Sequence, residues 1–325
     1  MLLNEFFKKK EGDTSMKNPV NRRTFLKRSL ASLAGTGLAA SGGLFTEAIA
    51  WVLDPANQPM PKRALGKTGF DVSIFSLGGL STISQAGRKE DAIEIINRAL
   101  DLGVNFIDTA HRYGNGISEE YIGEVMKYRR KEVFLATKSH DLTYDGTMRL
   151  IEESLSRLQT DYIDLYQHHF VNRSDQLEQL RRSRSARTAF EELKEQGVIG
   201  HIGITGHSSR VLADALEEYP YECALITLNV TRDEMDDPNH IGRFFDITTR
   251  NETGVIAMKV MARGAIVGQG FTAKELLTYS LSYPVSTAIV GISILDHLEE
   301  NAETAREFRQ MTREEMESMR IRATT

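Results

Sequence analysis

Four kinds of polar side chain stand at the ends of short apolar runs, and their chemistries complement one another. Asp108 lies near the end of NFIDTA (105–110), Lys138 near the end of VFLATKS (133–139), and His168 and His169 close IDLYQHH (163–169). Tyr113 follows Asp108 by five residues. Together they describe a proton donor. A tyrosine hydroxyl, with a pKa of about 10, donates reluctantly at neutral pH. A neighbouring ammonium favours the phenolate and so lowers that pKa, and a buried aspartate keeps the ammonium charged and oriented. A histidine beside them can hold a carbonyl oxygen. Such a set protonates an alkoxide as it forms from a carbonyl, provided that hydride arrives from elsewhere. One strand-end Asp is commonly just a turn cap; the weight lies in finding these residues on three successive runs.

Those residues need a scaffold that gathers strand ends. From residue 62 the chain alternates β-branched runs with longer amphipathic segments. The runs are SIFSLGGL (73–80), the three above, GHIGITGH (200–207), ALITLNV (224–230), GVIAMKV (254–260) and STAIVGIS (286–293). KEDAIEIINRALDLG places Ala92, Ile95, Ile96, Ala99 and Leu100 on one helical face and closes with Gly103. DGTMRLIEESLSRLQ and RTAFEELKEQG behave alike. Eight buried runs, each followed by a helical or connecting segment, predict a (β/α)8 TIM barrel over residues 62–325, with a polar helical tail, REFRQMTREEMESMRI, at the end. A doubly wound sheet would carry G-x-G-x-x-G after its first strand, and none follows Leu77-Gly78-Gly79-Leu80. RALGKTGFDVS, with turns at Gly66 and Gly69, predicts a hairpin closing the barrel's bottom. In such barrels the chemistry sits at the carboxyl ends of the strands, where the four polar types fall.

At these positions the sequence resembles the aldo-keto reductase family, over roughly residues 62–305. The motifs are DTAHRYGNGISEEYIGE, ATKS, DYIDLYQHH, IGITGHS and AIVGISILDHLEEN. The resemblance puts the family's tetrad on Asp108, Tyr113, Lys138 and His169, selecting His169 over His168. It implies Tyr113 as general acid and base, Lys138 and Asp108 tuning it, and His169 orienting the carbonyl. It also implies a nicotinamide cofactor, NADP with NAD as the alternative, bound without a Rossmann fold. Gly78 and Gly79 would flank the nicotinamide, and Thr205 would contact its carboxamide. Gly291, Ile292 and Ser293 would hold phosphate, and His297, Glu300 and Asn301 the adenosine end, where a helix N-terminus favours anions. Four departures qualify this. Gly206 replaces a usual asparagine, Leu225 a common glutamine, Met258 a stacking tyrosine, and His297 an arginine that grips the 2′-phosphate. Lys259 either contacts pyrophosphate or 2′-phosphate, or caps its strand.

Composition narrows the alternatives. One cysteine, Cys223, excludes a disulfide framework and a CxxC metal site, and no HExxH occurs. A net charge of −5 argues against nucleic acid as partner. The run RRSRSAR (181–187) reads as a solvated face rather than an anion funnel.

The first 50 residues differ in kind, with eight Lys/Arg against four Asp/Glu. NRRTFLKRS precedes LASLAGTGLAASGGLFTEAIA, apolar but diluted by Gly35, Gly37, Gly42 and Gly43, and ends in Ala48-Ile49-Ala50. This predicts an export signal cleaved after Ala50, followed by a linker over 51–61 that begins with Trp51. Arg22-Arg23 resembles the twin-arginine signal, which implies passage of a folded chain through the translocation machinery to the periplasm. Met16 is an alternative start. The opposing reading, an uncleaved anchor, needs a stable apolar helix that those glycines weaken. Export carries a difficulty, because no regenerated NADPH pool exists outside the cytoplasm. Three functions therefore stand: carbonyl–alcohol interconversion on a small polar, sugar-like substrate; redox-neutral epimerase, isomerase or lyase chemistry with a retained nicotinamide; and a non-catalytic nicotinamide sensor.

Overall fold

The computed structural model describes residues 58–324. The expected signal, its cleavage point at Ala50 and the first part of the linker, Trp51 included, lie outside the described residues. The described chain opens with an antiparallel hairpin, β1 (Lys62–Ala64) and β2 (Asp71–Ser73). The barrel then runs β3 (Phe75–Ser81), α1 (Lys89–Asp101), β4 (Phe106–Asp108), α2 (Ile117–Arg129), β5 (Phe134–Ser139), α3 (Tyr144–Leu158) and β6 (Ile163–His168). After β6 come α4 (Ser174–Leu180), α5 (Ala186–Glu195), β7 (Ile199–Gly206), α6 (Ser209–Glu218), β8 (Cys223–Thr227) and α7 (Ile241–Arg250). The chain finishes with β9 (Gly254–Met258), α8 (Ala273–Leu281), β10 (Thr287–Ile292), α9 (Leu295–Arg306) and α10 (Arg313–Arg322). Strands β3 to β10 are parallel and close on themselves, β10 pairing with β3. Every expected run became a strand, and α1 buries the five residues that its periodicity selected.

Alternation along each strand sorts side chains between two cores. Ile107, Leu135, Tyr166, Ile202 and Ile204 face outward into the layer shared with the helices. Phe106, Phe134, Ala136, Leu165, Cys223, Leu225, Ile256 and Ile289 face inward and form a dry cluster inside the barrel. The hairpin seals this cluster from below. Leu65 and Val72 are buried in it, and the Phe70 ring centroid lies 4.6 Å from that of Phe134. Burying Leu65 contributes about 1.5–3 kcal/mol. Gly66 makes the seal fit: its φ is +53°, and a Cβ there would lie 2.2 Å from Gly254 N, while the next amide, Lys67 N–H, donates to Glu252 O at 2.9 Å.

The tail departs from one continuous helix. α9 ends at Arg306 and α10 begins at Arg313, because Thr312 and Glu315 form a capping box. The Thr312 hydroxyl accepts from Glu315 N–H at 3.2 Å, and the Glu315 carboxylate accepts from Thr312 N–H at 2.7 Å. Met319 is buried, and Met311 and Met316 pack beside it, against the cluster of Phe271, Leu276 and Tyr279.

Candidate active site

Two residues beyond the dry cluster, the same inward faces turn polar. Phe106 is followed by Asp108, Ala136 by Lys138, and Leu165 by Gln167 and then His169. This parity also decides between the adjacent histidines. His168 points outward, its ring 4.1 Å from and stacked on Phe190, with neither ring nitrogen hydrogen-bonded, whereas His169 faces the mouth.

Lys138 is the hub. Its buried Nζ donates to Asp108 Oδ2 at 2.5 Å, to the Thr109 carbonyl at 2.6 Å and to Tyr113 Oη at 3.4 Å. All three donor protons of the ammonium are thereby used. Gln167, which the motif reading left out, donates from Nε2 to Asp108 Oδ1 at 3.1 Å. Both carboxylate oxygens are thus satisfied, as a buried ion pair requires. The His169 ring meets that of Tyr113 edge-on at 5.8 Å between centroids.

Tyr113 is placed by the turn after β4. Gly114, Asn115 and Gly116 all have positive φ, and Tyr113 N–H donates to Ala110 O at 2.9 Å. The Arg157 guanidinium supports this turn from α3, paired with Glu119 at 3.4 Å and Glu153 at 3.3 Å. Glu153 in turn meets His111 Nε2 at 2.7 Å.

Electrostatics modify one expectation. Burial raises the Tyr113 pKa above its ordinary value, and the opposing pull of Lys138 does not overcome it. The residue whose pKa was expected to fall is instead held as a protonated donor. Desolvation opposes the charge on Lys138, but Asp108 and Tyr113 together raise its pKa, so it stays an ammonium. Burial, aided by Lys138, holds His169 well below the usual histidine range, so it is neutral and can donate one N–H.

The positions assigned to cofactor contact lie around the same mouth. Gly78 pairs with Gly291 where β3 meets β10, and Gly79 packs against Ser118, whose hydroxyl donates to its carbonyl at 2.7 Å. Thr205 faces inward on β7; its hydroxyl accepts from Phe170 N–H at 3.1 Å and keeps its own proton to donate. Ile292 is buried, while Gly291 and Ser293 are exposed ahead of α9, and the Ser293 carbonyl accepts from Thr82 Oγ1 at 2.8 Å. On α9, His297 and Glu300 are exposed and Asn301 is buried. Asn301 Nδ2 donates to His297 O at 2.7 Å, and its Oδ1 has no protein partner. An orphaned buried acceptor of this kind fits a ligand that brings its own N–H.

Lys259 stands apart. Its Nζ is paired with Glu234 and lies 3.0 Å from His207 Nε2, while Arg263 Nε holds the same glutamate at 2.8 Å. Its charge therefore ties the loop after β8 to the loop after β9. Gly206 also has a reason. A Cβ there would lie 2.5 Å from Val171 O and 2.9 Å from Asn172 Oδ1, an oxygen that already accepts from His207 N–H at 2.6 Å. Asn172, from the neighbouring loop, takes up the room that an asparagine side chain at 206 would need. The RRSRSAR run makes surface pairs, Arg181 with Glu218 and Arg184 with Asp145. Among the described residues, no cluster of His, Cys, Asp or Glu could hold a metal ion.

The sequence model of the Aldo/keto reductase family matches residues 75–275, from the start of β3 into α8. The chain belongs to the aldo/keto reductase family. This aldo/keto reductase is 27% identical over 308 residues to the Bacillus subtilis protein described as uncharacterized oxidoreductase YqkF, covering 80% of this chain and 95% of that one. It is 27% identical over 285 residues to L-galactose dehydrogenase of Arabidopsis thaliana, covering 76% and 88% of the two chains. Its fold superposes on the holo form of aldo-keto reductase AKR11C1 from Bacillus halodurans with a TM-score of 0.65 at 27% identity, covering 81% of this chain and 96% of that one.

Proposed function

We propose that this aldo/keto reductase interconverts a carbonyl and an alcohol on a small polar, sugar-like substrate, with NADP(H) as cofactor and NAD(H) as the alternative. The observation that carries this reading is the buried Lys138 ammonium, fixed by Asp108 and the Thr109 carbonyl and donating its remaining proton to Tyr113 Oη. When bound, the nicotinamide supplies or accepts the hydride. The chain's own residues handle the proton. Tyr113 Oη gives its proton to the carbonyl oxygen as charge develops there, and Lys138 stabilises the phenolate left behind. In the reverse direction that phenolate takes the alcohol proton. Neutral His169 donates an N–H to the same oxygen and so fixes the carbonyl against Tyr113. Gly78, Gly79 and Thr205 would hold the nicotinamide end, Gly291–Ser293 the phosphates, and His297, Glu300 and Asn301 the adenosine. The sugar-like class draws support from the L-galactose dehydrogenase of Arabidopsis thaliana, and NADP from a Schizosaccharomyces pombe relative described as an NADP(+) aldo-keto reductase.

Tyr113→Phe tests the assignment. Hydride transfer should fall by about 10²–10⁴-fold, while NADPH binding, read by quenching of protein fluorescence, persists. Turnover retained by the variant would remove Tyr113 as the acid.

The Arg22-Arg23 pair favours a second reading, in which the folded protein is exported with its nicotinamide retained and performs redox-neutral chemistry. Denaturing exported protein purified without added nucleotide, and weighing what is released by mass spectrometry, separates the two. About one nucleotide per chain supports retention, and an empty site supports an exchangeable cofactor.

A further inference from the structure

A cavity of about 310 Å³ opens beside the tetrad, lined by Arg112, His140, His169, Phe170 and Gln176. Its charge is unbalanced. Among the described residues, the Arg112 guanidinium has no ion-pair or hydrogen-bond partner. The nearby carboxylates are engaged elsewhere. Glu153 is held by His111 at 2.7 Å and Arg157 at 3.3 Å, and Asp141 Oδ1 accepts from Thr143 N–H at 2.8 Å and Thr143 Oγ1 at 2.6 Å. Burial holds both His140 and His169 below the usual histidine range, so near neutrality the guanidinium is the cavity's standing charge.

Phe170 supplies the apolar part of the lining. It sits at φ +65°, an uncommon conformation for an aromatic residue, and it is pinned on both sides. Its N–H donates to Thr205 Oγ1, and its carbonyl accepts from Gln176 Nε2, each at 3.1 Å. Arg112 directly precedes Tyr113 in the turn closed by the Tyr113 N–H to Ala110 O bond, so the backbone that carries the cation is anchored beside the proton donor.

We propose that this cavity takes carbonyl substrates that carry an anionic group, a carboxylate or a phosphate monoester, and that Arg112 is the residue that selects them. The proposal rests on the carbonyl-reductase reading above and names the substrate class of that same site. A guanidinium offers two parallel N–H donors to either anion, and Phe170 covers the carbon skeleton between anion and carbonyl. Discrimination comes from the unpaired charge: a neutral analogue leaves it to water, whereas the anion completes it.

The test uses two matched pairs, D-glucuronate against D-glucose and glyceraldehyde 3-phosphate against glyceraldehyde, with NADPH and the full barrel. The wild type should favour the anionic member of at least one pair in kcat/KM, and the favoured pair tells carboxylate from phosphate. In Arg112→Gln that ratio should fall by about ten- to a hundredfold, mainly through KM for the anion. Arg112→Lys should recover part of it, and added salt should erode the wild-type ratio. Arg112 is exposed, so both variants should fold, as NADPH binding would verify. Equal turnover of charged and neutral members, or a ratio indifferent to residue 112, overturns the selection while leaving the reductase reading intact. No turnover of either member, with NADPH bound, overturns that reading and this one with it.

Discussion

At the amino-terminal end of the barrel the inward side chains are Phe106, Ala136 and Leu165; two residues further along the same strands they are Asp108, Lys138 and Gln167. Both layers are buried, yet one is held by apolar contact and the other by a saturated ion pair. The lower layer tolerates loss of volume at a cost in stability. The upper layer tolerates burial of charge because the Lys138 ammonium and both Asp108 carboxylate oxygens are hydrogen-bonded. One step of strand alternation thus separates the part that holds the barrel together from the part that performs chemistry.

The largest effect should come from breaking the upper layer at its hub. Lys138→Met leaves Asp108 buried without its cation, which should cost about 3–5 kcal/mol in denaturant unfolding at neutral pH. Activity should fall by about 10²–10⁴-fold. The stability deficit should shrink as pH falls, because protonating Asp108 removes its charge. A deficit independent of pH would mean that lost packing, not charge, is being measured. Breaking the lower layer instead, Leu65→Ala should cost about 2–5 kcal/mol while turnover per folded molecule stays intact. A matching fall in turnover would show that the two layers are coupled.

The smallest effect sharpens the contrast between the adjacent histidines. Burial depresses His168 to a pKa of about 3, so from about pH 6.5 downward the unfolded chain binds a proton that the folded chain refuses. Stability is therefore present above that range and is lost as pH falls, by about 1.4 kcal/mol per pH unit from this residue. His168→Phe should flatten that part of the acid limb without lowering hydride transfer, because the ring meets Phe190 and Tyr221 outside the barrel. An unchanged slope between pH 6 and 4, measured by urea midpoints, would assign the acid sensitivity elsewhere.

The strands were legible from their local period, and the tetrad from polar residues at the strand ends together with the family resemblance. A two-residue alternation ending in a polar side chain specifies which face that side chain occupies; the choice of His169 over His168 comes from the family resemblance, and the strand parity supplies its physical reason. The hairpin was legible from its glycine turns. What escaped depended on contacts between segments far apart in the chain. Gln167 lies within a quoted motif, but only the position of Asp108, 59 residues away, gives it a role. Asn172 filling the space beside Gly206, and Lys259 turning to Glu234, are decided by loop conformations that carry no periodicity. The sign of the Tyr113 shift escaped for a related reason. Proximity to lysine can be read from spacing, whereas the depth of burial that outweighs it belongs to the assembled mouth. Arg112 was overlooked inside the quoted DTAHRYGNG, since an arginine becomes notable only once its lack of a partner is seen. The break before Thr312 could have been read from Thr-x-x-Glu.

The chain's one cysteine, Cys223, sits among the inward side chains of the lower layer, and burial raises its thiol pKa. A thiol reagent should therefore find nothing to label until the strands part, and its labelling half-time becomes a clock for spontaneous opening of the barrel. On the proposed export route the same atom serves as a passport stamp. Molecules exposed to a reagent during transit would arrive unmarked if they crossed as closed barrels, and marked if they were threaded as open chains.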